Sequence, residues 1–443
     1  MENTELSLSQ KSSLKTESQQ KMGLIGAIAT MVGAMVGSSI FVMLGPIAQT
    51  TGPSLYLAFL IGSLPAIFGS AYYVQLGCMF PKSGGTYYYN KRLNSPFMGF
   101  LAGVTILFAC IGAIGMLALG LEQYMLYYFP NIPQLSVAMG TVILFGLINY
   151  FGIKTANLIQ IGMVVWMLVA LLCFAVPGFF VEKSVSESAP FLTNGMSGLL
   201  LASALAFYSY AGYNIVAELG GNIREPKKNM PRAILLSLVI VTIIYVAVTY
   251  VVSSTSSANE WTDSNFSIPL MASKFLPSWI VMFIGLGGIM AIATTLNAAM
   301  MVFPQELLAI AKDQLVSEKF LTEHKKYGTP TLGLFTGAII SIILLVMKVD
   351  ITTFATMVVI GFLLASVFTG FGARRAPKRY PDLYNSSIIL ISPKWLTFFC
   401  WSGIITSLFF SILAAMDAPL VGGIYLLLVM LSALYYRWKK SKK

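Results

Sequence analysis

One stretch decides the fold: Gly33-Ala-Met-Val-Gly-Ser-Ser-Ile-Phe41, which places glycines and serines inside the first long apolar segment. Gly33 and Gly37 weaken a helix, and the hydroxyls of Ser38 and Ser39 can bond backbone groups that an unwound turn releases. In hydrocarbon, such a break persists only where protein or a water-filled cavity surrounds it. The stretch is therefore a candidate binding site, although the spacing of Gly33 and Gly37 also suits close helix packing.

The composition sets the class of protein. The 443 residues are 57% hydrophobic and 10% charged, and the mean hydropathy is +0.78. These values exclude a soluble globular protein and predict an all-α polytopic membrane protein. Because a bilayer needs roughly 20 apolar residues per helix, we predict twelve transmembrane helices, at 22–48, 54–80, 96–127, 134–151, 155–181, 196–220, 232–255, 275–311, 331–348, 352–373, 396–416 and 418–437.

The basic residues predict the orientation. If the N-terminus is cytoplasmic, all 28 lysines and arginines except Lys183, Lys274 and Lys348 fall on the cytoplasmic side. Residues 1–21 and 438–443 are then cytoplasmic tails, and the first of them lacks the apolar core of a signal peptide. We expect a plasma-membrane protein whose net charge of +11 reflects topology and gives no indication of nucleic-acid binding.

Cysteine and histidine give no sign of catalytic chemistry. The four cysteines lie in or beside apolar segments without close pairing, and the one histidine, His324, lies in a basic loop. A nucleophile with its base, or a cluster of metal ligands, is not visible in the sequence. We therefore predict no enzyme, no catalytic residue and no cofactor other than an ion.

A second interrupted span supports the interpretation of the first as part of a binding site. The sixth span contains Phe207-Tyr-Ser-Tyr-Ala-Gly-Tyr-Asn214, again polar and glycine-containing at mid-span. Interrupted helices at corresponding positions of two halves indicate a transporter binding site. We predict an inverted repeat of five plus five helices, 22–181 and 196–373, with broken first and sixth helices and two added helices in 396–437.

The two breaks, followed by Glu218-Leu-Gly-Gly-Asn-Ile-Arg-Glu-Pro-Lys-Lys-Asn-Met-Pro-Arg232, resemble the amino acid permeases of the amino acid–polyamine–organocation (APC) superfamily. The loop Pro81-Lys-Ser-Gly-Gly-Thr-Tyr87 is similar to the same family. The resemblance covers essentially the whole membrane region. It implies the leucine-transporter fold and uptake or exchange of amino acids across the bilayer.

The resemblance also implies a substrate site at the breaks. Its residues are Met35, Gly37, Ser38, Ser39, Tyr208, Ala211 and Asn214. The substrate carboxylate would meet the backbone of Ser38 and Ser39, where a half-helix begins. The ammonium would meet the carbonyls of Met35, Tyr208 and Ala211, and Tyr208 would close over the substrate as an aromatic gate.

Selectivity and departures from the family are read from a few residues. Glu122 and Glu306 lie near span ends and Glu218 is the deepest acid, so a neutral substrate is favoured over a dicationic one. Many related permeases carry a lysine where this chain has Met167. The usual Ser-Arg at the end of the eighth span is replaced by Pro304-Gln305.

A sodium site is the last expectation. Ala291-Ile-Ala-Thr-Thr295 resembles the second sodium site of the leucine-transporter fold. The implied ligands are the carbonyls of Gly33, Val36 and Ala291 and the hydroxyls of Thr294 and Thr295. The alternative is that both threonines bond to carbonyls one turn back on their own helix.

The sequence leaves several functions open. We expect a secondary active transporter of small or neutral amino acids that works by alternating access and is coupled to sodium. A sodium-independent exchanger, a proton symporter, a carrier of polyamines or cationic amino acids, and a non-transporting amino acid sensor are the alternatives. A channel is disfavoured because no segment resembles a selectivity filter. Neither the amino acid nor a partner subunit follows from the sequence.

Overall fold

The computed structural model describes residues 21–37, 40–41, 44–128, 131–181, 190–261 and 267–441. This part of the chain is helical, with two isolated β-bridges and no strand. In chain order, the α-helices are α1 Leu24–Met35, α2 Leu44–Thr51, α3 Leu55–Gly62, α4 Leu64–Met79, α5 Gly85–Leu93, α6 Pro96–Tyr128, α7 Ser136–Tyr150, α8 Ile153–Gly178, α9 Gly195–Phe207, α10 Ile215–Glu218, α11 Pro226–Thr255, α12 Ala258–Trp261, α13 Ile268–Ala272, α14 Ser278–Lys312, α15 Thr331–Val346, α16 Ile351–Ala373, α17 Ala376–Arg379, α18 Pro381–Asn385, α19 Pro393–Asp417 and α20 Pro419–Ser441.

The helices identify an integral membrane protein. Eight described segments are long and apolar enough to cross a bilayer: Leu44–Met79, Pro96–Leu126, Ile153–Gly178, Pro226–Thr255, Ser278–Lys312, Ile351–Ala373, Pro393–Asp417 and Pro419–Ser441. Four shorter apolar helices accompany them: α1, α7, α9 and α15. Every predicted span overlaps one of these helices or segments, so the all-α polytopic fold is confirmed, whereas the count of twelve crossings stays a prediction.

The first predicted break is present. Helix α1 continues through Gly33 and ends at Met35, and Val36 leaves helical geometry with ψ 65°. The Gly37 N–H donates to the Met35 carbonyl at 2.9 Å, which is a tighter turn than a helix makes. Residues 40–41 are helical again before α2 begins. Ser38 and Ser39 lie outside the described residues.

The second predicted break is present as well. Helix α9 ends at Phe207 and passes into a 3₁₀ turn, Tyr208–Tyr210. Gly212 then adopts φ +108°, a conformation that favours glycine, before the short α10 begins. The interruption therefore follows from the glycine that the sequence places at mid-span.

The broken helices lie at the centre of the bundle. Helix α1 packs against α8, α10, α11 and α14, and α6 packs against α14 and α16. Helices α19 and α20 lie at the periphery, where they expose large apolar side chains such as Ile405 and Leu426. The outer helices thus present a lipid-compatible surface, and the break region is enclosed by protein.

Candidate functional site

The two breaks contact each other through small residues. A Cβ atom placed on Gly212 would lie 3.2 Å from the Ala34 Cβ and 3.3 Å from the Ala34 carbonyl oxygen. A Cβ atom on Gly37 would lie 1.9 Å from the Thr295 Oγ1. These glycines therefore allow α1, α14 and the turn after α9 to meet at one point, which larger side chains would block.

A buried tyrosine on α11 joins both breaks. The Tyr245 hydroxyl oxygen lies 2.6 Å from the Met35 carbonyl oxygen and 2.9 Å from the Ser209 carbonyl oxygen. Both carbonyls lie where a helix is interrupted, so regular helical hydrogen bonding no longer provides for them. Tyr245 supplies the hydrogen-bonding partner that the interruptions require. No motif in the sequence singled it out.

A small cavity lies where the breaks meet. Its volume is about 20 Å³, and its walls are Ala34, Met35, Gly37, Cys110, Ala113, Ala211, Ile215, Thr295, Ala299, Val358 and Phe362. Three predicted substrate residues, Met35, Gly37 and Ala211, therefore line one space. Most of the other wall residues are apolar or small, so the cavity suits an apolar side chain.

The remaining predicted substrate residues are placed as follows. Ser38, Ser39 and the side chain of Tyr208 lie outside the described residues. Asn214 is fully buried and is not in the cavity wall; its Nδ2 donates to the Tyr73 hydroxyl at 3.3 Å. Its Oδ1 has no hydrogen-bond partner among the described residues.

Several wall residues were not predicted. Ile215 on α10, Ala299 on α14, and Val358 and Phe362 on α16 face the cavity. Val358 and Phe362 belong to an apolar helix without a polar or glycine-rich interruption, so the sequence carries no signal that separates them from packing residues. Cys110 and Ala113 on α6 also line the cavity.

The predicted ion ligands also converge. The Gly33 carbonyl oxygen lies 3.1 Å from the Thr294 Oγ1 and 2.7 Å from the Thr295 Oγ1. The Ala291 carbonyl oxygen lies 2.7 Å from the Thr294 Oγ1 and 3.4 Å from the Thr295 Oγ1. Two carbonyls and two hydroxyls from α1 and α14 thus share one place, which suits a hard cation. No contact of the Val36 carbonyl accompanies them.

The same threonine contacts also provide a bonding scheme without an ion. Thr294 reaches the Ala291 carbonyl on its own helix, as threonines in membrane helices do. Both hydroxyls also lie within hydrogen-bond distance of the Gly33 carbonyl of α1. Hydrogen bonding within α14 alone does not need this contact. These four oxygens are the ones that would hold a sodium ion, whose charge would then join α1 to α14.

Buried amides hold α14 against α7 and α8 beside these oxygens. Gln160 donates to the Thr294 carbonyl at 3.1 Å and accepts from Asn297 at 2.8 Å. Asn149 donates to the Asn297 side-chain oxygen at 2.8 Å. Met167 on α8 is fully buried as well. The described neighbourhood of the threonines therefore contains neutral hydrogen-bonding groups.

The buried acids lie away from the small cavity. Both oxygens of Glu218 accept from the Thr86 N–H, at 3.1 and 3.2 Å. One oxygen of Glu306 accepts from the Tyr87 N–H at 3.2 Å. Glu306 lies near the C-terminal end of α14, where the sequence placed it, and its side chain is fully buried there. None of these carboxyl groups lines the cavity at the breaks.

A larger cavity of about 640 Å³ opens between α5, α14 and the start of α15. Its charged wall residues are Lys21, Lys82, Lys91, Lys312, Asp313 and Glu323. Met300 and Met301 form part of its wall, directly after Ala299 of the small cavity. The two cavities thus follow one another along α14.

Comparison with known proteins identifies the family. A family model described as amino acid permease matches residues 22–434. The chain is 25% identical to the branched-chain amino acid permease BcaP of Bacillus subtilis (strain 168), over 82% of each chain. It is 27% identical to the serine/threonine exchanger SteT of the same strain, over 85% of this chain and 88% of the exchanger.

A plant relative completes the comparison. The chain is also 25% identical to the mitochondrial cationic amino acid transporter 3 of Arabidopsis thaliana, over 76% of this chain and 59% of the relative. All three relatives are named for transport and not for catalysis. The match covers both helix breaks, the small cavity and the threonine pair of α14, and the chain belongs to the amino acid permease family.

Proposed function

We propose that the chain is a secondary active transporter that moves neutral amino acids by alternating access. The observation that carries the proposal is the small cavity enclosed by two interrupted helices. Interrupted helices offer unpaired backbone groups to the two charges that every amino acid shares. The apolar walls leave the substrate side chain to be recognised by size.

The backbone roles follow the predicted scheme. Met35 and Ala211 line the cavity, so we assign the substrate ammonium group to their carbonyls. The Met35 carbonyl accepts from the Tyr245 hydroxyl and from the Gly37 N–H, and the ammonium group would replace one of these two donors. We assign the carboxylate to the backbone of Ser38 and Ser39, as the resemblance implies; they precede the helical residues 40–41, and the N-terminus of a helix favours a negative charge.

A neutral substrate is favoured over a cationic one. The carboxyl groups of Glu218 and Glu306 are bonded to α5 and do not line the small cavity. A cationic side chain in this low-dielectric space would lack a charged partner. Two of the relatives are named for branched-chain residues and for serine and threonine, which supports the same conclusion. The plant relative, named for cationic amino acids, keeps the cationic carrier as the second candidate.

Uptake into proteoliposomes tests the function. We expect saturable uptake of labelled leucine or serine, competed by neutral amino acids, and little uptake of arginine or putrescine. Binding without flux would identify a sensor, and uptake of arginine in preference to leucine would overturn the neutral assignment. A current that does not saturate with substrate would indicate a channel.

We further propose that transport is coupled to sodium. Support comes from the four oxygens of Gly33, Ala291, Thr294 and Thr295. An ion there would hold α1 to α14 and so favour the conformation that binds substrate. Uptake is measured at fixed membrane potential with sodium replaced by choline, in the wild type and in Thr294→Ala.

The expected result is a sodium requirement in the wild type and a much weaker sodium dependence in Thr294→Ala. Thr336→Ala on α15 is the matched control, because that hydroxyl bonds only one turn back on its own helix, to Leu332 at 2.7 Å. Equal uptake in sodium and in choline would reject sodium coupling, and a sodium-independent exchanger or a proton symporter would then be the remaining mechanism. A sodium requirement that survives Thr294→Ala would move the ion elsewhere.

The orientation is also part of the proposal. We place both tails and Lys227 in the cytoplasm, since the basic residues lie so unevenly. A cysteine introduced at Lys227 should react with an impermeant reagent only after the cells are opened. Lys274→Cys is the control and should react in intact cells. The reverse pattern would invert the topology.

A further inference from the structure

Two carboxyl groups meet beneath the break region. Glu218 at the end of α10 and Glu306 on α14 are both fully buried, and their carboxyl groups lie close enough to interact. They accept from successive N–H groups of α5: Glu218 from Thr86 at 3.1 Å, and Glu306 from Tyr87 at 3.2 Å. The second oxygen of Glu306, Oε2, receives no hydrogen bond from an N–H or hydroxyl of the described residues.

Glycines bring the three helices together. Gly84 precedes α5 with φ +68°, and its N–H donates to the Glu218 carbonyl at 2.9 Å. A Cβ atom on Gly85 would lie 2.4 Å from the Ala217 carbonyl oxygen, and one on Gly84 would lie 3.1 Å from the Glu306 Oε2. The approach of α5 to α10 and α14 therefore depends on the absence of side chains at both positions.

Among the described residues, no cationic side chain pairs with Glu218 or Glu306. The two carboxyl groups accept from the Thr86 N–H and hydroxyl and from the Tyr87 N–H, and the neutral Tyr73, Tyr89 and Cys110 also lie in the neighbourhood. The ion pairs of the described residues leave both glutamates out, and Lys91 of α5 pairs with Asp313 at 2.6 Å. Two buried carboxylates in contact repel each other strongly, so one of them must hold a proton. The donors around Glu218 are N–H and O–H groups, which suit a carboxylate and not a metal cation.

We propose that Glu218 and Glu306 form a proton-binding site whose occupancy holds α5 between α10 and α14. On release, the O–H bond of the shared carboxylic acid breaks and the proton passes to water. Two carboxylates remain, and their repulsion separates α10 from α14. Uptake of one proton restores the contact.

We expect the proton to reach water through the larger cavity and its release to affect the substrate site. Tyr87, Gln305 and Ala309 surround Glu306 along α5 and α14, and all three line the larger cavity. Helices α10 and α14, which carry the two glutamates, also line the small cavity, through Ile215 on α10 and Thr295 on α14. Protonation at the pair is therefore linked to the geometry of both the substrate site and the threonine oxygens. Only the flux measurement below rests on the proposed transport function.

The first test measures uptake at fixed sodium while the pH on the side of the larger cavity is varied. We expect the wild-type rate to change by about tenfold per pH unit at most, through one protonation step. Glu306→Gln keeps the shape of the side chain and can donate to the Glu218 carboxylate, but it has no proton to release. Its rate should therefore vary by less than about twofold over the same range. A wild-type pH profile in Glu306→Gln would overturn the proposal.

Glu122→Gln is the control for the flux measurement, because Glu122 is a buried acid on α6 that the pair does not contact. It should keep the wild-type pH profile. A flattened profile in this variant as well would show that the effect is not specific to the pair and would overturn the assignment.

The second test does not need transport. Infrared spectra of the purified protein should show the carbonyl band of a neutral carboxylic acid that disappears as the pH is raised. The band should be missing from both Glu306→Gln and Glu218→Gln and present in Glu122→Gln. Its persistence in both single variants would place the proton elsewhere. If the wild type shows the band but no flux, the proton site stands and the proposed transport function fails.

Discussion

The Tyr245 hydroxyl lies 2.6 Å from the Met35 carbonyl oxygen, so a side chain of α11 holds the end of α1 at its interruption. The same hydroxyl approaches the backbone after α9. One hydroxyl oxygen therefore links the two breaks, in addition to the direct contact of Gly212 with Ala34. Its removal should disturb the small cavity without changing the course of any helix.

Tyr245→Phe should weaken both folding and substrate binding. The change removes the one O–H donor that lies within reach of the Met35 and Ser209 carbonyls, which costs about 1–3 kcal/mol. Thermal unfolding in detergent and equilibrium binding of a neutral amino acid measure the two effects. Tyr150→Phe, in an aromatic cluster on α7 beside His324 and Tyr327, is the control and should change neither. Unaltered binding by Tyr245→Phe would show that the bridge does not shape the site.

Gly37→Ala should reduce uptake by about tenfold or more, since a methyl group there costs about 1–3 kcal/mol of strain. Its Cβ would lie 1.9 Å from the Thr295 Oγ1, inside the contact distance of any atom pair. Gly162→Ala on α8 is the matched control, because no atom lies within 4 Å of its Cβ. Folded protein in both variants is compared by size-exclusion chromatography. Gly37→Leu, with a larger side chain, should abolish binding; if it binds normally, the substrate lies elsewhere.

Phe362→Ala should widen the specificity. The ring forms one wall of the small cavity, and its removal leaves space for a larger substrate side chain. We expect the preference for large over small neutral amino acids to rise by roughly tenfold, the scale of one or two methylene groups. Competition of leucine and alanine against labelled serine measures this ratio. Phe371→Ala on the same helix is the control, since that ring contacts Trp401 and not the cavity.

Asp350 caps the N-terminus of α16, and its stability contribution should depend on pH. The side chain accepts from the Thr353 N–H at 2.9 Å, and the hydroxyls of Thr352 and Thr353 also bond it. These hydrogen bonds lower the pKa of the Asp350 carboxyl to about 2. Because the folded pKa is depressed, the stabilisation is complete above the unfolded pKa of about 3.9 and is lost as the pH falls towards 2.

Asp350→Ala should therefore lower stability by about 1 kcal/mol at neutral pH. The difference from wild type should shrink between about pH 4 and pH 2. Thermal unfolding of the purified protein at several pH values measures it. Asp417→Ala, at the C-terminal end of α19, removes a carboxyl group that caps no helix start and should not show this dependence. A constant difference at all pH values would contradict the capping role.

The helix breaks could be predicted from the sequence because their cause is local. Clustered glycine and polar residues inside an apolar segment indicated an interruption at both places, and Gly37 and Gly212 lie at the observed breaks, whereas isolated glycines such as Gly33 remain helical. The predicted helix starts were less accurate. Helix α11 begins at Pro226, earlier than the predicted 232. Lys227 and Lys228 are helical, but their low hydropathy placed them outside the predicted span. A scale of apolarity cannot detect a helix that extends beyond the bilayer.

The site could be predicted only in part. Met35, Gly37 and Ala211 were located by the breaks themselves. Tyr245 and Phe362 reach the site from uninterrupted helices, and their roles come from tertiary packing that has no local signature. The contact between Glu218 and Glu306 joins residues far apart in the chain, so neither position alone indicated a pair. Contacts of this kind appear once the helices are placed in space.

The small volume of the cavity at the breaks has an energetic consequence. About 20 Å³ admits one water molecule, so an amino acid must spread the surrounding helices before it fits. Part of its interaction energy is then used for expansion, and a transported substrate binds more weakly than its contacts alone would allow. A ligand too bulky for the walls to close behind it would keep that expansion fixed, and would block the cycle as an inhibitor instead of passing through it.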